Sequence, residues 1–514
     1  MNYITPRNRF QTTFTSLDEL ISSDHAVRVL DAFVEKLDLK PLQYHIKTLN
    51  SEGRPPFAPK VFLKLYLYGY LNGIRSSRRL ERECQRNIEV QWLLGTLQPN
   101  YHSIADFRKN NSRALRNTFT LYVLFLKEAE LLGGRTIAVD GTKVRASNSK
   151  KNNYNPKKIE RHLKYIEEQT EQYLKQLDSN DREEQQSEPI TEVKQKLERL
   201  KTQAIKYEAL RDTLEGSEQP QISTTDTDAR ALLVQGQVVE VSYNMQAAVD
   251  DKHKLIVATH TLNRNDRNAL SGIALEAKAN LQATSITVIS DKGYHNGREL
   301  NKCATENIET ICAQQEIVNS NEHGTTEAYL VSKFVYNETD DTYICPAGQT
   351  LRTRGTWHKK SRERDSYMFK KYRTPKCNTC AVKHLCTGRK KGGREIERSE
   401  YAGAVEANKR RYEANKALYR KRQELNEHIF GTIKRKWGYS YTDLRGLEKV
   451  NGEHSLIALV YNLRRTITIL GTKDILEKLK NWKPDYKGIV CAYTKQTSLE
   501  ANSAKIKLAW SIAA

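Results

Sequence analysis

Three acidic residues in three different settings carry the chemistry to be expected of this chain. Asp140 closes the apolar run Thr136-Ile137-Ala138-Val139. Asp291 closes a second run, Ile286-Thr287-Val288-Ile289-Ser290, and is followed by Lys292-Gly293-Tyr294. Glu427 sits in a basic stretch with helical spacing that ends at Lys434. Two aspartates at strand ends and a glutamate on a helix can hold hard divalent cations, Mg2+ or Mn2+, through oxygen ligands. Two such ions roughly 3.5–4 Å apart stabilise both the attacking and the leaving oxygen of a phosphodiester. One aspartate at a strand end more often caps a turn, so the weight rests on the combination. Glu424, one helical turn before Glu427, is the main rival for third ligand, and Glu453 is a more distant one.

Glu427 lies seven residues after Arg420 and seven before Lys434. That is close to two helical turns, so the three share one face. A carboxylate flanked by cations suits a scissile phosphate, although a surface helix with internal ion pairs has the same pattern. The net charge of +22, from 84 Lys and Arg against 62 Asp and Glu, points to nucleic acid as the phosphodiester. Cations that neutralise phosphates release counterions. Charge held only for solubility or for anionic lipid would give the same total, but residues 409–436 concentrate it. The candidate phosphate contacts are Arg75, Arg78, Arg79, Arg82, Arg108 and Lys109 towards the N-terminus. Arg420, Arg422, Lys434, Arg435 and Lys436 surround the third acid. Such contacts fix register without reading sequence. Trp357, Trp437 and Tyr439 lie among cations, where an unpaired base could stack, although rings of this kind are more often core.

Cys345, Cys377, Cys380 and Cys386 form a second constellation, with a Cys-x2-Cys pair inside a polar, basic segment. Four thiolates suit a tetrahedral structural Zn2+ site, and a segment this polar has little else to hold it together. His384 could replace one thiolate. Cys84, Cys303, Cys312 and Cys491 have no such spacing. No stretch reaches the ~20 apolar residues of a membrane span, and the N-terminus lacks the apolar core of a signal peptide. The expected compartment is therefore cytoplasmic, with reduced thiols.

These residues must be positioned by several units, and 514 residues allow about three domains. Residues 1–130 read as short helices joined by tight turns, the pattern of a helix-turn-helix DNA reader or of an ordinary bundle. Strand patterns follow at 131–149 and 222–316. Between them, 150–221 carries two apolar stripes at spacings of three and four, which predict a helical hairpin. The cysteine-bearing segment spans 317–400, the third acid lies in 401–470, and 471–514 gives little guidance as a C-terminal tail. The order strand, strand, strand, helix, strand, helix, strand, then the Glu427 helix is that of an α/β, ribonuclease-H-like mixed sheet, interrupted twice. Its first and fourth strands are neighbours, so Asp140 and Asp291 would meet at one edge.

With these residues in view, the chain resembles the DDE transposases of bacterial insertion sequences, in the branch with an N-terminal helical domain and a cysteine-bearing insertion. The matching stretches are 62–78, Ile137-Ala-Val-Asp-Gly-Thr-Lys143, Tyr243-Asn-Met-Gln-Ala-Ala-Val-Asp250, Ser290-Asp-Lys-Gly-Tyr294 and 426–435. The resemblance covers roughly residues 1–470. It implies a core of the retroviral integrase superfamily with catalytic acids at Asp140, Asp291 and Glu427. It also implies cleavage of element ends in double-stranded DNA and joining of the freed 3′-OH to target DNA, by a homodimer on DNA. A related group carries Tyr-x2-Arg-x3-Glu-x6-Lys around the third acid; here the Arg422–Glu427 spacing departs from it by one residue. A metal-dependent nuclease without strand transfer, or a non-catalytic DNA-binding regulator, would share most of these features.

Overall fold

The computed structural model describes residues 10, 12, 14–46, 55–180, 190–217, 220–234, 238–314, 325–362, 365–487 and 489. Six helices open the chain: α1 (Ala26–Lys36), α2 (Pro59–Leu71), α3 (Ser77–Arg86), α4 (Ile88–Leu94), α5 (Tyr101–Asn110) and α6 (Ser112–Glu128). The side chain of His25 caps α1 by accepting the Val27 N–H. Pro59 starts α2, where its missing N–H costs nothing. α2 is apolar almost all round and buried, so it forms the centre of the bundle.

The main sheet begins with β1 (Thr136–Arg145). β2 (Asn153–Tyr154) and β3 (Ile222–Ser223) pair at the root of two long helices, α7 (Pro156–Asn180) and α8 (Ile190–Glu215). Those helices pack through Tyr154, Ile159 and Leu214, with His162 stacked on Tyr207. The sheet continues with β4 (Arg230–Val234), β5 (Val238–Asp250) and β6 (Ile256–Leu262). α9 (Leu270–Asn280), β7 (Ile286–Ser290), α10 (Gly297–Thr305) and β8 (Ile308–Cys312) follow. The spatial order is β6-β5-β1-β7-β8, with β4 also paired to β5. β5 runs antiparallel to β1, β4 and β6, whereas β7 is parallel to both β1 and β8. The mixed α/β character follows from runs of Val, Ile and Ala that are buried on both faces and linked by helices.

Asp140 was expected to end its strand. It does not, because β1 runs five residues further, paired with β5 as far as Arg145 opposite Ser242. What ends near Asp140 is the parallel pairing with β7, whose last rung is Val139 opposite Ser290.

The cysteine-bearing segment folds on two small sheets, β9 (Val335–Asn337), β10 (Thr342–Ile344) and β11 (Thr350–Arg352), then β12 (His358–Arg362), β13 (Asp365–Tyr372) and β14 (Ile396–Ser399). A short helix, α11 (Lys383–Cys386), lies between the last two strands. Phe334, Tyr343, Leu351, Tyr372 and Ile396 give it a small core of its own, more than its polar composition suggested. α12 (Ala402–Ala414) and α13 (Lys416–Phe430) lead into a π-helical turn, Gly431–Lys436. α14 (Leu447–Asn481) closes the fold, with a break at Gly471, where φ is +76°. It therefore carries helix past residue 471, where only an uninformative tail was expected. Trp482, just beyond it, stacks on Phe33 and meets Phe125 edge-on. One apolar core thus joins the N-terminal bundle, α14 and the main sheet. Among the described residues, no helix is long and apolar enough to cross a membrane.

Candidate active site

The β1–β7 register decides where the two aspartates emerge. Val139 pairs with Ser290, so Asp140, still within β1, and Asp291, just past the end of β7, are the next residues after the last shared rung of two adjacent parallel strands. Asp140 accepts the Gly141 N–H at 2.8 Å and stands 3.2 Å from Nη1 of Arg422 on α13. Burial pushes the Asp140 carboxyl up to about 6, and the charges of Asp291 and Asp266 add to this, against the pull of the Gly141 N–H and Arg422. Asp291 caps the 3-10 turn Lys292–Tyr294, accepting the Gly293 N–H at 2.8 Å. Two hard carboxylates, one of them made reluctant to ionise by burial and by its acidic neighbours, suit a divalent cation.

A polar layer that the sequence reading did not single out lies beside this pair. Asp266, on the turn after β6, takes Nζ of Lys143 at 3.0 Å, Nδ2 of Asn244 at 2.7 Å and Nε2 of Gln246 at 2.8 Å. Burial alone would raise the Asp266 carboxyl, but Lys143 and the two amides outweigh it and hold it low. Tyr294, fully buried, donates its hydroxyl to Oε1 of Gln246. The available signal was in β5, where the polar residues Glu240, Ser242, Asn244 and Gln246 alternate with others and so share one face.

α13 lies beside this edge with Leu425, Asn426 and Ile429 buried. Both polar atoms of the Asn426 amide lack a hydrogen-bond partner. Glu427, the expected third acid, is exposed and accepts Nε2 of Gln423 at 2.8 Å. Lys434 lies beyond the end of α13, in the π-helical turn, so the regular two-turn spacing expected between it and Glu427 is broken; its ammonium donates to the Lys143 carbonyl at 2.9 Å, three residues beyond Asp140 on β1. Glu424 is paired with Lys254 at 2.6 Å. Glu453 is fully buried, 2.7 Å from Arg75. Among the described residues, no three carboxylate, imidazole or thiol side chains are gathered closely enough to hold a metal ion. The structure therefore brings together Asp140, Asp291 and Arg422, and it leaves Glu427 on the neighbouring face.

The candidate phosphate contacts divide by burial. Arg78, Arg79, Arg82, Lys109, Arg420, Arg435 and Lys436 are exposed. Arg78 lies 4.9 Å over the Tyr101 ring. Arg422 and Lys434 are half-buried at the site edge. Arg75 and Arg108 correct the expectation. Both are buried, and both pair with Asp443, at 3.1 and 3.3 Å, which neutralises them inside the protein. Of the three rings, Tyr439 is core and bonds the Tyr70 carbonyl, and Trp437 packs on Tyr439 and Tyr461. Trp357 remains exposed beneath the Lys370 ammonium.

Cys345, Cys377, Cys380 and Cys386 all line one small cavity of the cysteine-bearing segment. The Gln349 N–H points at the Cys345 sulfur, 3.2 Å away, and a Cβ on Gly393 would overlap Cys377. Burial raises the Cys386 thiol, which Arg394 counters and the other three cysteines reinforce. Cys84, Cys303 and Cys312 are buried elsewhere, and Cys491 lies outside the described residues.

Comparison with known families gives two matches. A model described as a transposase domain (DUF772) matches residues 15–110, which contain α1 to α5. A model described as a transposase DDE domain matches residues 344–467, which contain the four cysteines and Glu427 but neither aspartate. No curated protein and no solved structure matches the chain.

Proposed function

The chain is a DDE transposase of an insertion sequence, and from that premise we propose that it cuts DNA at the ends of its element and joins the freed 3′-OH ends to target DNA. The observation that carries this reading is that Asp140 and Asp291 directly follow the last shared rung of two adjacent parallel strands, beside the cation of Arg422. The order β6-β5-β1-β7-β8 is that of a ribonuclease-H-like sheet, whose first and fourth strands bring such a pair together.

Asp140 and Asp291 would hold Mg2+ or Mn2+, with Glu427 as the third acid. When bound, these ions supply Lewis-acid stabilisation of the attacking and leaving oxygens. Glu427 is favoured over its rivals because Glu424 is engaged by Lys254 and Glu453 by Arg75. Arg422 counters the charge of Asp140; were a cation held there instead, the Arg422 guanidinium would be available to a phosphate oxygen. Lys434, Arg435 and Lys436 continue that cationic edge along the π-helical turn. The exposed cations of α3, with Lys109 on α5, would grip the element end, in a dimer that pairs two ends.

The test is a divalent-metal-dependent cleavage and joining assay on DNA bearing the element's own ends. Asp140→Asn, Asp291→Asn and Glu427→Gln should each lose at least about a hundredfold in rate while retaining end binding, and Glu424→Gln should cut normally. Normal cutting by Asp140→Asn would remove it from the mechanism, and cutting without joining would make the protein a nuclease.

We also propose that the four cysteines hold a structural Zn2+. All four line one cavity and the Gln349 N–H points at the Cys345 sulfur, which suits thiolates; the sulfurs are not gathered to ligand distance in the metal-free chain, so binding would have to draw them together. Elemental analysis of the purified protein should find one zinc per chain, and Cys380→Ser should abolish it. A zinc-free wild type with full activity would sink the idea.

A further inference from the structure

We infer that Tyr294, Gln246 and Asp266 act as a positioning bridge, fixing the two aspartate-bearing segments, β1 and the turn after β7, to each other. The inference rests on the reading that Asp140 and Asp291 bind a divalent cation.

The bridge runs between the two acids' own segments. Tyr294 ends the 3-10 turn that Asp291 caps. Its hydroxyl donates to Oε1 of Gln246, and Nε2 of the same amide donates to Asp266 at 2.8 Å. Asp266 then takes the ammonium of Lys143, three residues beyond Asp140 on β1. β1 and β7 are therefore tied twice, once by their backbone rungs and once by side chains. Gln246 also sits directly opposite Gly141 in the β1–β5 register. A Cβ at position 141 would overlap its amide nitrogen and press on Asp266 and Asn244. The residue after Asp140 is thus held against the bridge itself, and only glycine allows the approach.

Stability does not call for this arrangement. Gln246, Asn244 and Tyr294 are fully buried, and replacing buried hydrogen-bonded partners together by apolar groups of the same shape can be nearly neutral. Directional bonds do what apolar packing cannot: they set the separation and angle of the two aspartate-bearing segments. Ligand-orienting partners of this kind are typically worth about 10–100-fold in metal affinity.

Three measurements on the full-length chain separate the possibilities: Mn2+ titration by calorimetry, element-end binding in chelator, and thermal unfolding without metal. Tyr294→Phe keeps the ring and removes only the hydroxyl; Gln246→Met keeps the length and removes the amide. Both should weaken Mn2+ by roughly tenfold or more and leave end binding in chelator unchanged. The inference is overturned if both variants titrate Mn2+ like wild type. It is equally overturned if any lost Mn2+ affinity is matched by lost end binding and a lowered melting temperature, since the bridge would then be part of the general core. Asp140→Asn separates this inference from the reading beneath it. If wild type and Asp140→Asn bind Mn2+ alike, the acid pair is not the cation site and the catalytic reading itself fails.

Discussion

At the scale of single residues, ionisation of Asp140 is opposed by the metal-free fold. Its carboxyl titrates at about 6, against a usual 3.8, because burial and then the nearby acids disfavour the charge. A group whose folded pKa is raised stabilises the fold while it is protonated, and that contribution disappears as pH climbs through the folded value. Asp140 therefore favours the metal-free fold near pH 4 and opposes it above pH 6. Asp140→Asn, which cannot ionise, should be the more stable protein at pH 7, by about 2–3 kcal/mol. The advantage should vanish near pH 4. Urea unfolding of both proteins in chelator at the two pH values measures it, and an advantage that does not change with pH would exclude ionisation as the cause. Saturating Mg2+ should reverse the order at pH 7, since binding to the folded state alone adds stability to wild type.

At the scale of elements, what the sequence made legible and what it hid have different physical causes. Runs such as Val238–Asp250 and Ile308–Cys312 are apolar enough to mark strands to the residue. Parallel neighbours require helices between them, so the positions of α9 and α10 followed from the same pattern. Pairing of Asp140 with Asp291 could be anticipated because both end apolar runs in strands that become neighbours. The extension of β1 past Asp140 could not, because Gly141-Thr142-Lys143 has no apolar alternation and is held by β5, far away in sequence. The polar layer of Asn244, Gln246 and Asp266 was hidden for the same reason, since its members meet only once β5, β6 and β7 are assembled. Arg75 and Arg108 show the limit most clearly. A basic residue in a basic segment reads as a surface cation unless its partner, here Glu453 or Asp443 more than three hundred positions later, is already known.

At the scale of the whole molecule, those two arginines and the exposed ones on α3 divide the positive charge into two jobs that a single comparison can separate. Arg75 reaches from the N-terminal bundle to Glu453 of α14, which also accepts the backbone N–H groups of Asp443 and Leu444. Arg108 bonds the Tyr70 hydroxyl and pairs with Asp443. The bundle is thus locked to α14 and the segment before it by buried charges, in addition to the shared apolar core. Removing one partner leaves an uncompensated charge out of water, so Arg75→Met should cost about 3–5 kcal/mol. Arg79→Ala, on the exposed face of α3, should change stability by no more than about 0.5 kcal/mol. DNA binding should show the reverse sensitivity. Each phosphate contact contributes about 0.9 to the slope of log affinity against log salt, so replacing Arg78, Arg79 and Arg82 together by Ala should flatten that slope by up to about 2.7. Arg75→Met, measured where it is still folded, should leave the slope unchanged. Paired urea unfolding curves and salt titrations of end binding decide the matter. If Arg75→Met flattens the slope, Arg75 must leave its acids to reach phosphate, and the lock between the two halves opens when the protein binds DNA.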